Sequence, residues 1–514
     1  MADERKRDGN HWAAQTFGLT RRALLQSAIV AGGAAGMAAA SPVLAFGKQP
    51  QQDSGTRTRP SNLALELARK LNRTKIEDLP PLAIEHAKII IASTLASAAF
   101  GSQLGSSRIL RDLAKDQGGK PEATIWFDGA KLPVSSVARV NAVLSDSSAS
   151  DDSDMRNTVH CGTTLASAGL AIAERTGASC RDLLCAMVVG YEASGRIDTA
   201  LRRNGGTRGG VHASQLVAFS GAAETAKLLK LTDEQMAHAI GITATTMGGI
   251  AIGTNSWARE YMGANAAFTG VNSALAAARG YAVNEDMLEN VEGYFATYGA
   301  GPKGAAEILT RDTKEWDITK YLAIKLVPGA HQFHASAEAA VNAARQGNVS
   351  AADVARILVS GPQSRSSQRL VPKDMIEAIH SQAYFVASGI ADKDFSWVHA
   401  DEAKIRRPII ARLIDLIEVD LSPAPHKYVW SYGATVTILT KSGARFSSTV
   451  DAPRGSSPRG IEWTDIDAKY HALMPYSKLP AARIDQSLKV IHNFEQVKDA
   501  SELTGLLKTS AGEG

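Results

Sequence analysis

The chain has 514 residues, 44% of them hydrophobic, 21% charged and 6% aromatic, which supplies a large buried core over two or three domains and excludes a disordered chain. A formal charge of +4 over that length is too small to point to a nucleic-acid partner. No run of about 18 strongly apolar residues follows the N-terminal region, which excludes a polytopic membrane protein.

Residues 1–45 read as an address. Arg21-Arg22 follow a charged stretch, and a mildly apolar segment from Leu24 to Ala40 comes next, softened by Gly32, Gly33 and Gly36. Val43-Leu44-Ala45 then suits a signal peptidase. This order is that of a twin-arginine export signal, so the protein is expected in the periplasm, with no integral membrane segment once the signal is removed. Residues 46–62 are polar and Pro-containing and read as a flexible tail.

From residue 63 to about 320 the pattern is helical. Pro80-Pro81 opens a helix running to Ala98, since Pro at a first helical position loses no hydrogen bond. A small-residue helix follows His160. Leu183, Leu184, Met187, Val188 and Tyr191 form an i, i+3/i+4 stripe. Thr232-Asp233-Glu234-Gln235 is a capping box, and Ala264 to Arg279 is an Ala/Gly-rich helix ended by Gly280. With 44 glycines in the chain, such helices can approach one another closely.

The character changes after residue 321. Ile357-Leu358-Val359, ended by Gly361-Pro362, suits a buried strand. Val436, Ile438 and Thr440, then Lys441-Ser442-Gly443, then Phe446, Ser448 and Val450 read as a β-hairpin. Helical segments sit between them, at His334–Arg345 and Pro372–Ile390. From about residue 465 a helical pattern returns, with Ile484, Leu488, Ile491 and Leu503. The expected fold is mainly α: a large, discontinuous all-helical domain (63–320 and 459–510) with a smaller α+β lid (321–458).

Chemistry-bearing motifs are sparse. There is no Gly-x-Ser-x-Gly, no phosphate-binding Gly-x4-Gly-Lys-Ser/Thr and no His-Glu-x-x-His. Cys161, Cys180 and Cys185 have no Cys-x-x-Cys spacing and read as free thiols. The Asp151-Asp152-Ser153-Asp154 string lacks the Gly-containing loop of a calcium site. Gly205 to Gly210 reads as a loop delivering His212. His160 and His212 each follow a loop and precede a helix, a position that keeps imidazole neutral and able to accept a proton. Arg259 and Lys325, taken alone, read as solvated cations.

Several segments, in order, resemble the MmgE/PrpD family, that of 2-methylcitrate dehydratase. They are Asn141–Ser153 with His160-Cys161-Gly162, Gly190-Tyr191-Glu192 with Arg196, Gly210-Val211-His212, Leu231–Gln235, Asn265–Gly280, Lys325-Leu326-Val327-Pro328 with His334, and His380-Ser381-Gln382-Ala383-Tyr384. The resemblance implies a helical domain plus lid, a homodimer, and a site between the domains that handles small di- or tricarboxylates without metal or cofactor. Carried over by position, catalytic roles fall to His160, His212, Lys325 and Tyr384, and substrate binding to Ser153 and Arg259. The implied activity is a lyase, by dehydration or decarboxylation through histidine-mediated proton transfer. A dicarboxylate epimerase and a periplasmic acid-binding protein without turnover are the alternatives. The chain departs from the family pattern at four positions: Asp146 stands for a His, Ala149 for an Asp, Ser153 for a Thr and Arg259 for a Lys. Arg is a bidentate carboxylate clamp and a poor proton donor, so Arg259 is expected to bind rather than to protonate.

Overall fold

The computed structural model describes residues 62–509, apart from 157, 204–211, 247, 313–314, 362–370 and 421–431. The export signal, the 46–61 part of the tail and the Gly205–Gly210 loop lie outside the described residues. Counting helices of eight residues or more, the first region contains α1 (Leu63–Arg73), α2 (Pro81–Gly101), α3 (Gly105–Gln117), α4 (Val134–Asp146), α5 (Cys161–Thr176), α6 (Cys180–Arg202), α7 (Ala218–Leu228), α8 (Asp233–Thr245) and α9 (Ala258–Ala277).

Local sequence explains several of these ends. Pro81 is the first residue of α2. Among the described residues α2 is the one helix long and apolar enough to cross a bilayer, but 83% of its most apolar stretch is buried inside the protein, so its apolarity serves the core. At the start of α8 the Thr232 hydroxyl accepts from the Gln235 N–H at 3.2 Å, and the Gln235 side chain accepts from the Thr232 N–H at 3.0 Å, the reciprocal cap the sequence predicts. The small residues are needed where α7 meets α9. A Cβ on Gly270 would lie 2.5 Å from the Ala218 carbonyl oxygen, well inside van der Waals contact. The three cysteines are buried free thiols.

The first region also holds two short strand pairs. β1 (Ala123–Thr124) pairs with β2 (Lys131–Leu132), and β3 (Asp152–Asp154) pairs antiparallel with β4 (Leu322–Ile324). Neither pair has the alternating apolar pattern from which strands are read in a sequence. The second pair matters most here, because it fixes the polar segment around Ser153 to the segment before Lys325.

The second region is the smaller α+β part. It contains α10 (His334–Gln346), α11 (Gln382–Asp392), α12 (Pro408–Asp415) and a sheet of β5 (Val354–Ser360), β6 (Ile417–Val419), β7 (Ala434–Thr440) and β8 (Arg445–Val450). The strand order is β6-β5-β7-β8, with β5 and β6 parallel and the other neighbours antiparallel. The β7–β8 hairpin turns at Gly443, whose φ of 88° is the conformation glycine tolerates best. The helix expected over 372–390 is broken: a turn at Met375–Ala378 ends before Ser381, whose side chain caps α11 by accepting from the Tyr384 N–H at 3.2 Å.

Two hydrophobic clusters follow this division. One joins Leu67, Ile90, Leu165 and Tyr191 to Ile466, Tyr470, Leu488 and Leu503, so α13 (Trp463–Leu473) and α14 (Ala481–His492) return to the first region. The other joins Ala339, Val359, Phe385, Leu413 and Val436. The fold is therefore mainly α with a smaller α+β domain.

Candidate active site

Five of the six residues expected in the site line one cavity of about 280 Å³: Ser153, His160, His212, Arg259 and Lys325. The β3–β4 pairing sets Ser153 opposite Ala323 and Asp152 opposite Ile324, which delivers Lys325 to Asp151. The Lys325 N–H donates to the Asp151 carbonyl at 3.1 Å, and its ammonium donates to Asp151 Oδ1 at 2.7 Å. Lys325 is buried, so its charge is balanced inside the protein rather than by water. This overturns the solvated reading of that cation.

His160 is the residue before α5. Its Nδ1 lies 2.6 Å from the Asp152 carbonyl oxygen and 3.2 Å from Asp151 Oδ2. A carbonyl can only accept, so Nδ1 carries the proton and Nε2 carries the lone pair. Burial lowers the pKa of His160 to about 4; Asp151 pulls the other way and Lys325 adds to the lowering. The ring is neutral at pH 7, with Nε2 available as a base.

His212 precedes the single turn Ala213–Leu216. Its Nδ1 accepts from the Ser214 N–H at 3.1 Å, so that nitrogen carries no proton. Its Nε2 lies 3.1 Å from the Thr254 hydroxyl oxygen, and that hydroxyl already donates to the Ala251 carbonyl at 2.7 Å. The proton of a neutral His212 ring therefore sits on Nε2. The two histidines take opposite tautomers in one cavity: the lone pair of His160 is on Nε2, and the Nε2–H of His212 is directed at the Thr254 hydroxyl.

The acidic string is divided among different partners. Against burial, which would raise it, His160 and Lys325 hold the Asp151 carboxyl well below the usual range. Burial and the neighbouring Asp151 push Asp152 up to about 8, although its Oδ1 accepts from the Gly162 N–H at 2.9 Å. Asp154 accepts from Arg156 Nε at 2.9 Å.

Arg259, the second residue of α9, is buried and does not present a free clamp. Its Nη1 donates to Asp146 Oδ1 at 2.8 Å and its Nη2 to the Asp146 carbonyl oxygen at 2.7 Å. Burial pushes Asp146 up to about 7 despite the pull of Arg259. Its Oδ2 is buried without a hydrogen-bond partner among the described residues.

Tyr384 does not join the cavity, which corrects its expected catalytic role. Its hydroxyl donates to the His399 carbonyl at 2.7 Å, and its ring packs edge-on to Phe395 inside the lid core. The cause is the cap at Ser381, which starts α11 with Tyr384 facing inward. His380, just before that cap, lines the cavity instead, as does His331. Both are held neutral: burial and the nearby cations lower His380 to about 3 and His331 well below its usual value. Both His331 ring nitrogens are buried without a partner among the described residues. Sequence reasoning missed these two histidines, although both stand in segments that carry the family resemblance. Motif position there favours His334, which does not line this cavity and has its ring 4.5 Å from that of His331.

A model of the MmgE/PrpD N-terminal domain matches residues 65–306, and one of the MmgE/PrpD C-terminal domain matches residues 328–493. Human cis-aconitate decarboxylase is 25% identical over 458 residues, which cover 86% of this chain and 93% of that protein. The cis-aconitate decarboxylase-like protein oryM of Aspergillus oryzae is 25% identical over 288 residues, 52% of this chain and 60% of that protein. Cis-aconitate decarboxylase of Aspergillus terreus is 24% identical over 242 residues, 46% of this chain and 49% of that protein. The two family matches together span well over half of the sequence, and the chain belongs to the MmgE/PrpD family.

Proposed function

We propose that the protein is a lyase that acts on a small di- or tricarboxylate, by dehydration or decarboxylation, with His160 and His212 moving the protons. The observation that carries this reading is the pair of opposite tautomers facing one cavity that also holds Lys325 and Arg259. Removing a proton or CO₂ next to a carboxylate builds negative charge, which a buried ammonium and guanidinium stabilise. In a dehydration, His160 Nε2 takes a proton from carbon, and His212, entering the step as the imidazolium, gives its Nε2 proton to the departing hydroxyl and returns to the neutral ring. In a decarboxylation, the carbon that loses CO₂ receives its proton from the His212 side. Membership of the family and similarity to proteins named cis-aconitate decarboxylase support the lyase class.

The direct test is to incubate the purified protein with cis-aconitate, methylcitrate and related acids and follow products by NMR. Loss of water or CO₂ supports the reading. Inversion of a stereocentre without loss would make it an epimerase, and saturable binding without any turnover would make it a binding protein.

Two further parts of the reading have their own tests. Export is proposed on Arg21-Arg22: replacing both by Lys should hold the precursor in the cytoplasm. A homodimer is proposed on an exposed apolar stripe of Trp257, Tyr261 and Phe268 along α9, continued by Ile250 and by Ile252, which is 85% exposed. Such a stripe beside a polar cavity suits a second copy of the chain. Light scattering should give twice the chain mass, and Ile252→Asp should lower it.

A further inference from the structure

Asp146 and Arg259 are 113 residues apart in sequence and form one buried unit at the edge of the cavity. Asp146 ends α4 and is 1% exposed. It accepts from both terminal nitrogens of Arg259, one through Oδ1 and one through its own carbonyl oxygen. Glu260 Oε2 lies 3.8 Å from the same guanidinium. Room for the carboxylate comes from Gly263, one turn along α9, where a Cβ would lie 2.7 Å from Asp146 Oδ2. Ala149 lines the same cavity with Arg259. Three of the four departures from the family pattern, at 146, 149 and 259, thus gather at one corner of the cavity.

The charge balance of the cavity follows. Among the described residues its lining cations are Arg259 and Lys325, and each already touches an aspartate, Asp146 and Asp151 respectively. A guanidinium has five N–H donors. Two are spent on Asp146, so Arg259 can still hydrogen-bond a ligand but offers no uncompensated charge. Every ligand carboxylate brought into a buried site must be desolvated and needs a cation in return. With both cations already balanced, each further ligand carboxylate adds a charge that nothing offsets, and one bound to Arg259 would share its guanidinium with Asp146 and lie near Glu260.

We infer that Asp146 is a specificity-determining residue: by occupying Arg259 from within the protein, it sets the site for dicarboxylates and against tricarboxylates. This rests on the carboxylate-lyase reading above and narrows it. Asp146 acts through Arg259 and touches no reacting atom.

The test uses two saturated, unreactive probes that differ by one carboxymethyl group, succinate and tricarballylate. Their binding to the full-length purified protein is measured by calorimetry at pH 8.5, above the raised value of about 7, where Asp146 carries its charge. The wild-type protein should bind succinate more tightly by about tenfold, the scale of one charge-assisted hydrogen bond. Asp146→Asn keeps the shape and the acceptor but removes the charge, and should move the ratio toward tricarballylate by about tenfold. Equal or tighter binding of tricarballylate by the wild-type protein overturns the inference, and this arm needs no variant to fold. An unchanged ratio in folded Asp146→Asn also overturns it, while leaving the lyase reading intact. If neither acid binds, the carboxylate reading itself fails and the inference falls with it.

Discussion

The cavity has two cation–aspartate pairs of nearly equal length, Lys325–Asp151 at 2.7 Å and Arg259–Asp146 at 2.8 Å, yet their carboxyls behave in opposite ways. Asp151 is held well below the usual carboxylate range, whereas Asp146 rises to about 7. Both are fully buried, so burial alone does not separate them. Asp151 has Lys325 on one oxygen and His160 beside the other. Asp146 has Arg259 on one oxygen, none on the other among the described residues, and the like charges of Asp151 and Glu260 nearby. A single contact distance says little about a buried ion pair. The number of partners around the carboxylate decides whether it stays charged.

The largest effect expected is on turnover. His160→Ala and His212→Ala should each lower kcat by ~10²–10⁴-fold, the range for losing a general acid or base. The Lys325 side and the Arg259 side can then be set against each other. Lys325→Met strands a charged Asp151, and thermal or denaturant unfolding should show a loss of about 3–5 kcal/mol. Asp151→Asn in the same chain should recover part of it. Arg259→Met leaves a carboxyl that can take up a proton, so at pH 6 its cost should be smaller, about 1–3 kcal/mol. Equal costs for the two variants would break the comparison.

A third prediction concerns pH. Asp152 is raised to about 8 when folded, against about 4 when unfolded. Between those values the folded state holds more protons, so the contribution of Asp152 to stability falls as pH rises from about 4 to about 8. The buried His160 and His380 act in the opposite direction, losing stability as pH drops below about 6.5. They cancel when wild type is compared with Asp152→Asn. The difference between the two proteins should therefore shift toward the variant with rising pH, by at most about 1.4 kcal/mol per unit, and level off above pH 8. A flat difference from pH 4 to 9 would show that Asp152 is ionised throughout. The smallest effect is at Tyr384. Tyr384→Phe should cost about 1 kcal/mol of stability through the lost bond to His399, with turnover unchanged.

What was legible in the sequence was mostly local. The α8 capping box, the Pro81 start of α2 and the hairpin at Gly443 each depend on residues a few positions apart, and each stands where its pattern predicts. The β3–β4 pair was not legible, because each strand has three residues, β3 is wholly polar, and its consequence, the Lys325–Asp151 contact, joins positions 174 residues apart. Of the five expected residues that line the cavity, His160 and His212 stood out by their place between a loop and a helix, and Ser153, Arg259 and Lys325 were reached through the resemblance. His380 was missed, and Tyr384 misplaced, because the side of a helix start that faces a cavity depends on the cap residue. Ser381 sets that choice, and no periodicity reports it. Asp146 read as an isolated departure from the family pattern until its contact with Arg259 was visible.

In the proposed reaction two histidines of opposite resting tautomer move protons at one carbon centre. Incubating wild type, His160→Ala and His212→Ala with a turned-over acid in deuterated water, and following the acid and its product by NMR, tests that claim most directly. Solvent deuterium should enter the reacting carbon with wild type and little or none with either variant, while both variants still bind the acid. Wild-type deuterium incorporation in both variants would contradict it.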